Sequence, residues 1–266
     1  MLVDGKKIAA EILSDLKVRL AESHKHPCLT VFACAPNTET RKYMELKKKR
    51  ASELGIDVLV IELDTDISTE KAVEAVRSSG ASADGVIVQL PFPPQVDAEV
   101  LLSAIPKELD IDNINYAGEE TEVLPPVVGA VAEIAKRHNV DFAGKNVVVI
   151  GRGRLVGKPA ALWAEAQGAA VTVIDKNTPN ADSIIHEADI IISGAGHPGL
   201  VTHGKIKDGV IIFDAGTSED GGELRGDADS ACASKCSLFT PVPGGIGPIT
   251  IAILLRNLVE LAKSAH

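Results

Sequence analysis

The feature that most constrains the fold of this chain is a strand that runs straight into glycines. Val147-Val148-Val149-Ile150 is an unbroken apolar run that passes without a spacer into Gly151-Arg152-Gly153-Arg154-Leu155-Val156-Gly157. Such a run reads as a strand buried on both faces, as in parallel sheets. Two early glycines permit a tight turn that brings backbone N–H groups against a pyrophosphate, and the third permits close packing of the helix that follows. The N-terminus of that helix adds partial positive charge. A plain strand–helix turn also matches three glycines, and the spacing is G-x-G-x3-G rather than the commoner G-x-G-x2-G, so context has to decide. Ile174-Asp175 closes the next apolar run, where an acidic residue meets a ribose 2′-OH. The turn is therefore predicted to bind a dinucleotide through Gly151, Arg152, Gly153, Arg154, Leu155 and Gly157, with Asp175, Lys176 and, further along, Thr217 completing the set. Asp175 accepts from a free 2′-OH and repels a 2′-phosphate, which favours NAD. Arg152 and Lys176 can instead pair with a 2′-phosphate, which leaves NADP open, as does a reading of Asp175 as a strand-end residue facing water.

The rest of the chain repeats the strand–helix alternation. Ile8, Ile12, Leu16 and Leu20 are spaced for an amphipathic helix. Residues 29–33 and 56–63 read as strands, and 85–89 as a buried parallel strand stopped by Pro91-Phe92-Pro93-Pro94. Helices are predicted over 38–54, ended by Gly55, and over 68–79. The pattern pauses between Asp110 and Pro126, then resumes with a helix over 127–138, strands at 146–150, 170–174, 189–192, 210–213 and 237–239, and a closing helix from about 248 to 262. This predicts an α/β protein of two domains with mainly parallel sheets, 1–120 and 121–266, the second Rossmann-like, with a cleft between them.

Composition excludes several functions. With 27 Lys+Arg against 37 Asp+Glu the formal net charge is −10, which argues against a nucleic-acid binder working by bulk electrostatics. Aromatics make up 3% of the chain, too few for a surface built on base or sugar stacking. No apolar run approaches the roughly 18 residues that span a bilayer, and the charged start of the chain lacks a signal peptide's apolar stretch. The four cysteines fit neither a disulfide framework nor the usual zinc spacings, so reduced thiols, no metal site and a cytoplasmic location are expected.

A second constellation lies in the N-terminal half. Tyr43 and Lys47 are spaced i, i+4 and share one face of a helix. Lys48, Lys49 and Arg50 read as a solvated face. Gln89 closes a buried strand at its C-terminal end, where ligands gather in open α/β sheets, and Asp112 lies in the boundary loop. Together these would bind a polar heterocycle and move protons, although spacing alone does not bring them together. A charged Lys47 would be disfavoured by Lys48, Lys49 and Arg50, lowering its pKa.

These residues carry a resemblance. Leu2-Val3-Asp4-Gly5-Lys6-x-Ile8-Ala9, Tyr43-x3-Lys47, Asp84-Gly85-x3-Gln89-Leu90-Pro91-x-Pro93, Asp110-Ile111-Asp112, Val156-Gly157-Lys158-Pro159 and Thr240-Pro241-Val242-Pro243-Gly244-Gly245-Ile246-Gly247-Pro248 occur in this order across nearly the whole chain. The chain resembles the bifunctional methylenetetrahydrofolate dehydrogenase/methenyltetrahydrofolate cyclohydrolase family. The resemblance implies a homodimer whose last helix packs back on the first domain. It also implies oxidation of 5,10-methylenetetrahydrofolate with NAD or NADP, followed by hydrolysis to 10-formyltetrahydrofolate. Lys47 would carry the proton transfers, Tyr43 would position the substrate, Gln89 would hold Lys47, and Asp112 would bind the pterin edge. Leu90, Pro91, Gly245, Gly247 and Pro248 would complete the folate site.

The chain departs from the family pattern in Ala35 to Thr40, at Leu124 to Val127, at Gly153, at Ile174 to Lys176, and at Asn113, which stands where glycine is usual. Two other functions compete with the family reading: a dehydrogenase for a different pterin one-carbon carrier with little cyclohydrolase activity, and a non-catalytic nucleotide-sensing module.

Overall fold

Parallel strands cannot be joined by tight turns, so each apolar run must be followed by a crossover, and the crossovers set the strand order. The computed structural model describes residues 1–23, 25–79, 83–220 and 222–264. It divides into two units, one of 11–115, 121–124 and 254–266, the other of 1–10, 116–120 and 125–253.

In the first unit β1 (Cys28–Cys34), β2 (Asp57–Leu63) and β3 (Gly85–Gln89) form an all-parallel sheet of order β2-β1-β3. Central β1 is buried from Leu29 through Cys34, as a strand covered on both faces must be. Phe32 packs there with Val76, Val86, Val88 and Leu101. Of the helices, α1 (Gly5–Ser23) turns Ile12, Leu16 and Leu20 inward. The start of α2 (Thr38–Glu53) is capped by Asn37, which accepts from the Thr40 N–H at 2.8 Å. Gly55, at φ 73°, lies just past its C-cap Leu54, a left-handed position that glycine takes without strain. Ser68 caps α3 (Thr69–Ser78). The short α4 (Ala98–Ser103) was outside the predicted elements, because only Leu101 and Leu102 of its six residues are buried and no period shows.

In the second unit α5 (Pro126–Arg137) precedes β4 (Asn146–Ile150), α6 (Gly157–Ala166), β5 (Ala170–Ile174), α7 (Ala181–Glu187), β6 (Ile190–Ser193) and β7 (Ile211–Asp214). A small antiparallel ribbon, β8 (Ser218–Asp220) with β9 (Glu223–Arg225), interrupts the alternation before β10 (Leu238–Phe239). The main sheet is all parallel, in the order β10-β7-β6-β4-β5. The predicted strands at 146–150 and 170–174 have those bounds, and the remaining three begin one residue later than expected. Because β5 and β6 lie on opposite sides of β4, the crossovers diverge between β4 and β6, where open α/β sheets bind ligands. Val148, Ile150, Ile191 and Ile212 fill the core on one side, and Phe142 packs edge-on against Trp163 at 4.8 Å.

The closing helix α8 (Ile246–Ser264) begins in the second unit and ends in the first. Within the first unit it is tied by an Arg19–Glu260 ion pair and by Lys25 Nζ donating to Ala262 O at 2.7 Å. Among the described residues no helix is long and apolar enough to cross a membrane, and the four cysteines are free thiols.

The glycine turn shows which of its glycines the backbone requires. Gly151 sits at φ 103°, and a Cβ on Gly157 would overlap the Gly151 carbonyl oxygen, whereas nothing lies within 4 Å of a Cβ on Gly153. The third glycine thus admits its own turn's backbone rather than the neighbouring strand. In urea unfolding, Gly157→Ala is expected to cost about 1–3 kcal/mol by overpacking, and Gly153→Ala less than about 0.5 kcal/mol. Equal losses would show that the turn does not depend on this contact.

Candidate active site

The register Ala33↔Gln89 brings the C-terminal ends of β1 and β3 side by side. β1 leads through a short loop into α2, which carries Tyr43 and Lys47 on one face, and β3 ends on Gln89. Lys47 Nζ stands 4.6 Å from the centroid of the Tyr43 ring and donates to Gln89 Oε1 at 3.1 Å. Gln89 Nε2 donates in turn to Leu90 O at 3.2 Å, which holds the amide with its oxygen towards the amine. Lys47 is 7% exposed, while Lys48, Lys49 and Arg50 face water as predicted for them.

Burial lowers the pKa of Lys47, and the nearby charge of Asp112 pulls it back up. The direction agrees with the sequence reading but the cause does not. Lys48, Lys49 and Arg50 are solvated, so desolvation of the amine carries the shift. Burial raises the pKa of the Asp112 carboxyl, and Lys47 opposes that rise. Tyr43 is 38% exposed, and desolvation, helped by the charge of Asp112, pushes its pKa up to about 12. It is a neutral phenol at physiological pH. Burial, and after it the charge of Asp112, pushes Asp110 up to about 7.

In the second unit, the Gly151 N–H donates to Ile174 O at 2.9 Å and the Lys158 N–H to Gly153 O at 3.0 Å, which shapes the turn at the N-terminus of α6. Open space around Gly153 and a helix N-terminus at the β4/β6 divergence suit a dinucleotide pyrophosphate. Arg152 and Asp175, read from sequence as rivals for the 2′ position, are partners. Arg152 Nε donates to Asp175 Oδ2 at 2.8 Å, and its Nη2 to Val173 O at 3.2 Å. Asp175 also accepts from the Asn177 N–H and the Thr178 hydroxyl, and these bonds, the Asn177 N–H foremost, hold its carboxyl below the usual range. Leu155, Lys176 and Thr217 are exposed, and Arg154 is half-buried. Gly245, Gly247 and Pro248 lie in this unit at the start of α8, where the Gly245 N–H donates to Pro241 O at 2.7 Å. Leu90 and Pro91 follow Gln89 in the first unit, joined by a cis peptide bond. Among the described residues no three His, Cys, Asp or Glu side chains gather as a metal site requires.

Sequence reasoning missed a pair of buried carboxylates at the strand ends of the second unit. Asp227 accepts from Ser193 Oγ at 2.5 Å and from the Ala195 and His197 N–H groups at 2.8 and 2.7 Å. Asp214 accepts from the Gly216, Asp227 and Ala228 N–H groups. They stitch the loops after β6 and β7 together. The signal available was an Asp at the end of an apolar run, Ile211 to Phe213, and a second in a Gly-Asp pair.

Comparison with known proteins agrees with this geometry. Residues 3–112 match the model of the tetrahydrofolate dehydrogenase/cyclohydrolase catalytic domain, and residues 125–266 that of its NAD(P)-binding domain. The chain is 34% identical over 278 residues to a bifunctional protein FolD of Mycoplasmopsis synoviae, covering 98% of this chain and 99% of that one. It is similar to the crystal structure of the bifunctional FolD enzyme of Campylobacter jejuni, with a TM-score of 0.94, 33% identity, and coverage of 100% and 99%. The Trypanosoma brucei FolD structure, described as complexed with NADP cofactor and inhibitor, matches with a TM-score of 0.92, 30% identity, and coverage of 100% and 98%. With both domain models matched in chain order and relatives above 30% identity aligned over nearly their full length, the chain belongs to the tetrahydrofolate dehydrogenase/cyclohydrolase family.

Proposed function

We propose that this protein oxidises 5,10-methylenetetrahydrofolate to 5,10-methenyltetrahydrofolate with a nicotinamide cofactor and hydrolyses the product to 10-formyltetrahydrofolate. The observation that carries the reading is the buried Lys47 amine on Gln89 Oε1. A solvated lysine holds its proton near neutrality and cannot act as a base, whereas a desolvated one can. The glycine turn, Arg152 and Asp175 would hold the cofactor, whose nicotinamide supplies the acceptor for the hydride leaving the methylene carbon. Lys47 Nζ then takes a proton from the water that adds to the cationic methenyl carbon. As the carbon–N5 bond opens and the carbonyl forms, the remaining oxygen proton leaves and N5 takes one up. Gln89 orients the amine, Tyr43 positions the substrate, and Asp112 binds the amino-pyrimidine edge. The assignment of Leu90, Pro91, Gly245, Gly247 and Pro248 to the folate rests on their motifs.

For the cofactor, the ionised Asp175 at the end of β5 favours a free 2′-OH, and hence NAD, while NADP would have to draw Arg152 away from its carboxylate partner. The NADP-bound trypanosomal relative keeps that alternative in play. Homodimer assembly rests on the family resemblance, and light scattering of the purified protein reads it directly. Free thiols accord with a cytoplasmic setting.

Lys47→Met is expected to slow methenyl hydrolysis, followed by its chromophore, by about 10²–10⁴-fold with dinucleotide affinity unchanged. Undiminished hydrolysis would remove Lys47 from its role. The wild-type hydrolytic rate should rise with pH as Lys47 loses its proton, with the limb below the ordinary lysine value of about 10.4. A limb at that ordinary value would contradict a desolvated base. Asp175→Ser frees Arg152, so the NADP-to-NAD ratio of kcat/KM should increase by about tenfold, the scale of one charged hydrogen bond. An unchanged ratio would show that the carboxylate does not face the ribose.

A further inference from the structure

Asp112 stands in a stretch that no helix or sheet ladder holds. A 3-10 helix, Lys107–Leu109, ends just before it, and the segment 121–124 that runs beside it is also irregular. The residues flanking Asp112 are nevertheless held from both sides. Asn257, fully buried on α8, donates from Nδ2 to Ile111 O at 2.9 Å and to Leu124 O at 2.8 Å. Asn113 Nδ2 donates to Val123 O at 2.7 Å. The residue before Asp112 and the residue after it are thus cross-linked to two consecutive carbonyls of one backbone segment. From inside the turn, Asp110 Oδ2 accepts from the Ile114 N–H at 2.9 Å.

Asn113 adopts φ 43°, a left-handed conformation open to asparagine and to glycine alike. What asparagine adds is therefore the amide bond to Val123, not the backbone geometry. We propose that Asn113 and Asn257 are positioning residues for Asp112, fixing where its carboxylate stands relative to Lys47. The proposal rests on the reading of Lys47 and Asp112 as parts of the catalytic site. Lys47 is faced by Tyr43 from its own helix, by the Gln89 amide from β3, and by Asp112 from the turn, with Asp110 coupled to Asp112.

The test is Asn113→Gly in the full-length protein, which keeps the left-handed backbone and deletes only the donor. Lys47 is followed by carbon-13 NMR of its ε-carbon and identified by its loss in Lys47→Met. A loosened Asp112 opposes burial less, so Lys47 in Asn113→Gly should titrate at lower pH than in the wild type. KM for methylenetetrahydrofolate should rise about five- to twentyfold, with kcat and the KM for cofactor within about twofold. Asn113→Asp, which presents an acceptor to the Val123 carbonyl, should behave no better than glycine. A lowered unfolding midpoint with unchanged Lys47 titration would overturn the proposal and leave the tie a structural one. Wild-type protein that fails to turn over folate would instead overturn the catalytic reading, and the NMR comparison would still decide the positioning.

Discussion

A lysine that has left water must give up its proton or keep a partner, and the first unit is organised around that constraint at Lys47. Burial pushes the amine towards neutrality while Asp112 pulls it towards charge, so its state is set by a balance between the two. Gln89 suits this balance because an amide oxygen accepts from a neutral amine and from an ammonium alike. A carboxylate in its place would pin the proton. The helix supplies the contrast: one turn of α2 buries Lys47 while its basic neighbours stay in water, and those neighbours keep the helix soluble without governing the amine.

The second unit meets a different constraint. Loops that leave a parallel sheet at its C-terminal edge expose backbone N–H groups that need acceptors. Asp214 and Asp227 supply them from inside, binding the loops after β6 and β7 into one piece. The glycine turn beside them is shaped instead by close approach of its own backbone, and Arg152 and Asp175 lie across its outer edge. Rigid inner bonds and an exposed outer ion pair leave the outer edge as the more adjustable part, since exposed pairs contribute little to stability.

The long apolar runs and the glycine turn made the succession of strands and helices along the chain readable, because burial on both faces leaves no room for polar residues in 147–150 or 86–88. The face shared by Tyr43 and Lys47 followed from helical spacing. α4 and the β8–β9 ribbon escaped because they are too short to show a period. The ties around Asp112 escaped for another reason. Asn257 reaches Ile111 from 146 residues away, and no local pattern announces such a contact. The pairing of Arg152 with Asp175, 23 residues apart, likewise depends on the register of β4 with β5.

Asp110 and Asp214, both buried, have a consequence for how the protein responds to acid. Asp110 in the first unit and Asp214 in the second are raised from 3.8 to about 7 and about 6. The folded chain therefore binds protons at these sites before the unfolded chain does, and between about 7 and 3.8 falling pH favours the fold through them. Asp175, Asp189 and Glu260, held below their usual range, lose their stabilising charge only as pH falls below their ordinary values of 3.8 and 4.5. Through these five groups, mild acidity is where the fold is held most firmly.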